Sequence, residues 1–202
     1  MFLGSVVVIS LSGVIMPGPV FAVTVARGYV DRGAGALVAV GHGIIEFPLM
    51  VLIYFGLAQL FALGIVKSIV GLVGGGMLVF MGWGMLRLKG DFTLGIPSTR
   101  YGSVAGGVIT TGANPYFFLW WATVGAALIV GSTVFGLVGF LLFAVTHWSC
   151  DFFGYLFVSM AVFKSKRLWS QRTYRIVLAV CALILIGFGG WFIFSSLQYL
   201  KI

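Results

Sequence analysis

Two histidine–acid pairs stand out in a chain that otherwise has few polar groups. His42 precedes Glu46 by four residues, and His147 precedes Asp151 by the same spacing. In an α-helix this spacing places each imidazole on the same face as its carboxylate, one turn away. These are the only two histidines of the chain and two of its four acids. Because such groups can exchange protons near neutral pH or bind a metal ion, both pairs are candidates for chemistry.

Both pairs lie near the middle of long apolar stretches. An ionised side chain at the centre of a membrane helix costs on the order of 3 kcal/mol by insertion scales. Since the chain places such a pair there twice, we interpret the pairs as functional. The alternative interpretation is that each histidine only hydrogen-bonds to the acid of its own helix.

The composition is that of a polytopic membrane protein. Charged residues make up 8% of the 202 residues, glycine numbers 30, and the mean hydropathy is +1.17. Glycine allows helices to pack closely in a bilayer. At about 20 to 25 residues for each span, the length leaves room for six helices but not for a soluble catalytic domain. We therefore predict an all-α membrane fold that has no nucleic-acid partner and no cofactor.

Six apolar runs are predicted to cross the bilayer. They cover residues 2–26, 34–63, 67–88, 102–131, 133–163 and 174–198. Ten of the twelve basic residues lie in or beside the links that follow the first, third and fifth runs; the other two are Lys67 and Lys201. The positive-inside rule places these links in the cytoplasm and both termini outside. We interpret the first run as a retained span, because it lacks a basic n-region and a small-residue cleavage site.

The two halves of the chain carry matching features. Residues 1–88 and 102–202 are each predicted to hold three spans, joined by a cytoplasmic linker over 89–101. Each half opens with a span that carries a proline motif and continues with a span that carries a histidine–acid pair. Because each half has an odd number of spans, the second half would be inverted relative to the first. Inverted three-helix repeats are a common architecture of secondary transporters.

The proline motifs are predicted to break spans one and four, since proline lacks an N–H group and clashes with the preceding helical turn. A break in a membrane helix is tolerated where it lines a cavity. The helix that begins after the break points its partly positive N-terminus at the cavity, and this favours the binding of a carboxylate. The simpler alternative is a kink that serves packing. With the two acids as partners for a cationic group, the predicted substrate-binding residues are Pro17, Gly18, Pro19, Asn114, Pro115, Glu46 and Asp151.

The two pairs are predicted to meet near the bilayer midplane and to couple transport to protons. The predicted proton-coupling residues are Glu46, Asp151, His42 and His147. No basic residue lies deep in an apolar run, which favours a cationic or zwitterionic cargo, or a proton.

An alternative interpretation of these four residues is a site for a divalent metal cargo. Two imidazoles and two carboxylates, His42, His147, Glu46 and Asp151, make a suitable tetrahedral ligand set. An intramembrane enzyme is disfavoured, because Ser149 lies two positions from His147 and therefore faces away from it on a helix. A membrane scaffold without transport would leave the acids within the apolar runs unexplained.

Two further motifs have helix packing as their simplest interpretation. The aromatic run over 116–121 follows the second proline motif, and we interpret it as packing or lipid-facing, with a substrate-lining role as the alternative. Gly71 and Gly75 form a Gly-x-x-x-Gly motif. This motif suits the close approach of another helix, either of the same chain or of a second copy in a homodimer.

Together the motifs resemble the LysE family of amino-acid exporters. The resemblance rests on Pro17-Gly18-Pro19, on the glycine-bearing link from Arg27 to Gly35, on Gly41-His42 and on Asn114-Pro115, and it covers essentially the whole chain. It implies a six-span antiporter of the cytoplasmic (inner) membrane that expels amino acids such as lysine, arginine, threonine or homoserine at the expense of the proton gradient. A homodimer is among the assemblies that it allows. Tyr116 stands where the family commonly has lysine, and the histidine–acid pairs lie outside the pattern that carries the resemblance.

Overall fold

The computed structural model describes residues 2–16, 18–57, 63–87, 100–168 and 170–199, and every regular element in these ranges is a helix. In chain order the elements are α1 (Phe2–Ile15), α2 (Pro19–Val30), α3 (Ala34–Tyr54), α4 (Gly64–Leu86), α5 (Arg100–Gly112), α6 (Pro115–Trp120), a π-helical turn (Trp121–Gly125), α7 (Ala126–Thr133), α8 (Gly136–Ser165), a 3-10 turn (Lys166–Leu168) and α9 (Gln171–Tyr199). The prediction of an all-α fold is confirmed for these ranges.

Five helical segments within the described ranges are long and apolar enough to cross a membrane. They are Ala34–Tyr54, Gly64–Gly84, Pro115–Thr133, Gly136–Leu168 and Gln171–Gln198. A sixth span is obtained when α1 and α2, whose axes differ by 69°, are counted as one broken span. The chain is therefore a multi-pass membrane protein, with five or six spans among the residues that the structure describes.

The fourth apolar run, predicted over 102–131, is divided in the structure. Its spanning segment begins at Pro115, whereas α5 is a separate helix that ends at Gly112. The helix α5 carries hydroxyl side chains, among them the buried Ser103, Thr110 and Thr111, and is less apolar than the segment that follows it.

The break between α1 and α2 lies where the sequence has its first proline motif. The helix α1 ends at Ile15, and α2 begins at Pro19 with the extended Gly18 as its N-cap. Proline fits this first helical position because the first N–H groups of a helix have no partner within it. Pro17, which is also a predicted binding residue, lies outside the described residues.

A second break separates α5 from α6. Asn114 is the N-cap of α6, and its Oδ1 accepts a hydrogen bond from the backbone N–H of Tyr116 at 3.0 Å. Pro115 is the first residue of the new helix. Residues 88–99, which hold most of the predicted linker, lie outside the described part of the chain.

The helices α3 and α8 lie at the centre of the packing and carry the two histidine–acid pairs. They pack against each other, while α1 and α2 pack on α8, and α5 packs on α3. Each pair is therefore surrounded by other helices, and its residues are buried.

Glycines bring the backbones of α3 and α5 into direct contact. A Cβ atom at Gly107 of α5 would meet the carbonyl oxygen of Val38 and would lie 3.0 Å from the backbone nitrogen of His42. A Cβ atom at Gly41 of α3 would meet the carbonyl oxygen of Val104. This contact fixes the position of His42 along α5.

The helices α4 and α9 pack in the same way. A Cβ atom at Gly75 would lie 2.6 Å from the carbonyl oxygen of Gly189, and the reciprocal distance is also 2.6 Å. A Cβ atom at Gly71 would meet the hydroxyl of Ser196. The Gly-x-x-x-Gly motif of α4 therefore packs on a helix of the same chain. This is the first of the two partners that the sequence allowed for it.

We predict that the α3–α5 contact makes Gly107 intolerant of any side chain. Gly107→Ala should destabilise the protein by about 1 to 3 kcal/mol, because the contact has no room for a methyl group. Gly76→Ala on α4 is the control, since a Cβ atom there would meet nothing within 4 Å. The control should be neutral or stabilising by up to about 1 kcal/mol, from helix propensity. Thermal unfolding in detergent measures both, and equal effects of the two substitutions would contradict the prediction.

Candidate functional site

The two histidine–acid pairs meet where α3 faces α8. His42 Nε2 lies 3.0 Å from Glu46 Oε1 on the same helix, and His147 Nε2 lies 3.2 Å from that oxygen across the interface. Asp151 Oδ2 lies 3.5 Å from His147 Nε2 and 3.8 Å from His42 Nε2. All four side chains are buried, with Glu46 only 1% exposed. Because Glu46 contacts both imidazoles, the alternative in which each histidine serves only its own helix is wrong.

Hydroxyl groups hold the opposite side of each imidazole ring. His42 Nδ1 lies 2.8 Å from the Oγ1 of Thr111 on α5. His147 Nδ1 lies 2.7 Å from the Oγ of Ser10 on α1, and this hydroxyl also donates to the carbonyl oxygen of Val6 at 2.7 Å. Each ring is therefore fixed from both ends, by a hydroxyl on one side and by Glu46 on the other.

Thr111 and Ser10 were missing from the site predicted from the sequence. Both are hydroxyl residues inside or beside apolar runs, and that is the only signal that the sequence offers for them. Such residues commonly bond to the backbone of their own helix, as Thr110 does to the carbonyl oxygen of Gly106 at 2.7 Å. The sequence alone therefore does not separate Thr111 from its neighbour.

Aromatic rings enclose His147. Its ring is stacked between Trp120 and Phe143, with centroid distances of 5.7 and 5.9 Å and interplanar angles of 21° in both cases. Trp121 meets the same ring edge-on at 5.1 Å. Trp121 begins the π-helical turn, whose last residue, Gly125, packs so closely on the Trp121 ring that a Cβ atom there would collide with it. The aromatic run thus positions a histidine of the cluster in addition to its predicted packing role.

Two carboxylate oxygens of the cluster are left without a hydrogen bond. Glu46 Oε2 and Asp151 Oδ2 are buried and have no hydrogen-bond partner among the described residues. A buried acceptor in that condition costs about 1 to 3 kcal/mol, and more when it is charged. A proton, or a ligand that carries N–H donors, would remove this cost.

A cavity of about 870 Å³ opens onto the cluster. Besides His42, Glu46, His147 and Asp151, its wall includes three of the predicted binding residues at helix starts, Gly18, Pro19 and Asn114. Pro115, by contrast, lines a neighbouring cavity of about 70 Å³. Much of the remaining wall is apolar: it includes Val20, Phe21, Phe117, Leu119, Trp120, Leu183, Ile184, Phe188 and Trp191. A cavity of this size is suited to a small molecule.

We predict that each hydroxyl sets the ring environment of its own histidine. The chain has only two histidines, so a ¹⁵N spectrum of histidine-labelled protein contains the signals of two rings. Thr111→Val should shift chiefly the Nδ1 signal of His42, and Ser10→Ala chiefly that of His147, because each substitution removes one hydrogen bond. The variant His42→Gln provides the assignment. Equal shifts of both rings in either hydroxyl variant would contradict the described geometry.

A comparison with protein-family models finds one described as LysE type translocator, which matches residues 11–196. The match covers both proline motifs and both histidine–acid pairs, and it confirms the family resemblance drawn from the sequence motifs. Searches among curated proteins and among solved structures gave no match. Members of this family are transporters of small molecules and not enzymes. The chain therefore belongs to the LysE type translocator family.

Proposed function

We propose that this protein exports an amino acid, or a similar small zwitterion, across the cytoplasmic membrane in exchange for protons. The observation that carries the proposal is one cavity that offers partners for both charged ends of such a molecule. Buried carboxylates with free oxygens lie on one part of its wall, and two helix starts lie on another.

The cargo ammonium group binds the two acids. An ammonium group has three N–H donors and no acceptor, which matches Glu46 Oε2 and Asp151 Oδ2, two oxygens that accept no hydrogen bond from the described residues. A hydrogen bond to a charged group contributes about 1.5 to 3 kcal/mol. Since neither oxygen accepts a hydrogen bond from the described residues, each can gain this contribution on binding.

The cargo carboxylate binds at the helix starts. The helix α2 begins at Pro19, and its N-cap Gly18 supplies no side-chain hydrogen bond to the first turn. At the start of α6, the Asn114 Oδ1 is used by the N–H of Tyr116, which leaves the amide nitrogen of Asn114 as a donor. Helix N-termini carry a partial positive charge, so both positions favour an anion.

Competition for the same oxygens couples the cargo to protons. Glu46 and Asp151 can bind a proton or the cargo ammonium group, but one carboxylate oxygen cannot hold both at once. His42 and His147 lie within 3.8 Å of these acids and pass the protons. The two halves, 1–88 and 102–202, act as inverted repeats whose rocking alternates access to the cavity, with both termini outside.

A divalent metal cargo is the second candidate, and one observation favours it. Ligand atoms of His42, Glu46 and Asp151 lie within 4.8 Å of one another, and His147 Nε2 is 3.2 Å from Glu46 Oε1. Tetrahedral Zn²⁺ bonds of about 2.0 Å place neighbouring ligand atoms about 3.3 Å apart. The cavity, however, is far larger than a metal ion needs, and its mainly apolar wall favours an organic cargo.

We predict that neutral replacement of either acid abolishes coupling. Glu46→Gln or Asp151→Asn should reduce amino-acid exchange driven by a pH gradient at least about tenfold in proteoliposomes, because each removes a charged acceptor for both proton and cargo. Asp31→Asn is the control, since Asp31 lies in the link between α2 and α3, does not line the cavity, and has an Oδ1 that accepts a hydrogen bond from the N–H of Gly33. Unchanged pH-driven exchange by both variants would refute the proposed role of the acids.

We also predict that the purified protein retains no stoichiometric metal. Elemental analysis after incubation with Zn²⁺ and desalting should give far less than one ion for each chain, and chelator should leave amino-acid exchange unchanged. One ion for each chain, lost in a His42→Ala/His147→Ala variant, would instead establish the metal as cargo.

A further inference from the structure

We infer that the cargo carries a large apolar side chain and that this side chain lies against α9 at Gly187. The inference rests on the proposed function and adds the substrate class. It also assigns a specificity-determining role to a helix that carries no part of the histidine–acid cluster.

The helix α9 presents an apolar stripe to the cavity. Leu183, Ile184, Gly187, Phe188 and Trp191 line the cavity and are spaced by three and four residues, so they share one face of the helix. Another face of α9 packs on α4, where Gly75 and Gly189 make their close contact. The residues of the stripe therefore line the cavity from a face of α9 other than the one that holds the Gly75–Gly189 contact.

This apolar face of α9 is a surface that the cargo side chain can contact. The ammonium group is held by the acids on α3 and α8, and the carboxylate is held at the starts of α2 and α6. Among the described lining residues, the histidines and acids are those of the cluster, and none is a lysine or an arginine. A second ammonium or guanidinium group, as in lysine or arginine, would lose its water without gaining an ion-pair partner on α9. An apolar side chain would instead gain by leaving water.

Gly187 lines the cavity and has space for a side chain. A Cβ atom there would meet nothing within 4 Å, whereas one at Gly189 would lie 2.6 Å from a backbone oxygen of α4. Gly187 lies within the α-helical span of α9, where glycine is less favourable than alanine. Gly13 of α1 lines the same cavity and is equally open. A second, independent observation favours a ligand in this cavity: the buried Glu46 Oε2 and Asp151 Oδ2 accept no hydrogen bond from the described residues.

The test measures exchange of L-phenylalanine, L-leucine, L-alanine, L-threonine and L-lysine by the full chain in proteoliposomes. Phenylalanine and leucine should be exchanged at least about tenfold faster than lysine and threonine at equal concentration. Gly187→Leu places an isobutyl group on the cavity face of α9 and should lower the phenylalanine-to-alanine ratio at least about tenfold. Gly76→Leu on α4 is the matched control, because Gly76 is also open but does not line the cavity, and it should leave the ratio unchanged.

Other outcomes overturn the inference in distinguishable ways. Faster exchange of lysine or threonine than of phenylalanine, or an unchanged ratio in folded Gly187→Leu protein, overturns the inference and leaves the proposed function intact. Exchange of Zn²⁺ with no amino acid exchanged overturns both. If Gly187→Leu does not fold, Gly13→Leu on α1 serves as the second test. An unchanged phenylalanine-to-alanine ratio in that variant overturns the inference as well.

Discussion

The contact of Glu46 with both imidazoles is the interaction on which the rest of the structure depends. One buried oxygen lies 3.0 Å from His42 and 3.2 Å from His147, so it joins α3 to α8. Bare glycines bring α5 against α3, which lets Thr111 reach His42. On the other side, α1 supplies Ser10, and the π-helical turn supplies Trp121 to His147. The surrounding helices therefore hold both rings against Glu46 Oε1, and they leave Glu46 Oε2 without a hydrogen bond from the described residues.

The carboxylate oxygens without a hydrogen bond, Glu46 Oε2 and Asp151 Oδ2, bear on both the stability of the protein and the transport that we propose. A cluster in which every carboxylate oxygen accepted a hydrogen bond would be more stable, but it would have no acceptor left for a cargo. The chain instead keeps Glu46 Oε2 and Asp151 Oδ2 without a hydrogen bond from the described residues, beside a cavity. In our account, binding of a proton or of a cargo ammonium group relieves the same cost. Because the two compete for one position, exchange of one for the other follows without a further coupling device.

The sequence predicts the parts of this arrangement that depend on local spacing. Apolar runs give the spans, the four-residue spacing places each histidine beside its acid, and the proline motifs coincide with the helix starts at Pro19 and Pro115. It does not predict which helix faces meet. The bond from His147 to Glu46, the partner roles of Thr111 and Ser10, and the cavity wall on α9 all depend on tertiary packing. The spacing of residues along one helix does not predict contacts between different helices.

Proton release on cargo binding tests the central claim most directly. Purified protein in weak buffer is mixed with L-leucine or L-phenylalanine, and the change in pH is followed with an indicator dye. Competition between cargo and protons for Glu46 and Asp151 predicts that binding releases protons, and that Glu46→Gln with Asp151→Asn removes the release. Binding of the amino acid with no release of protons would contradict the account.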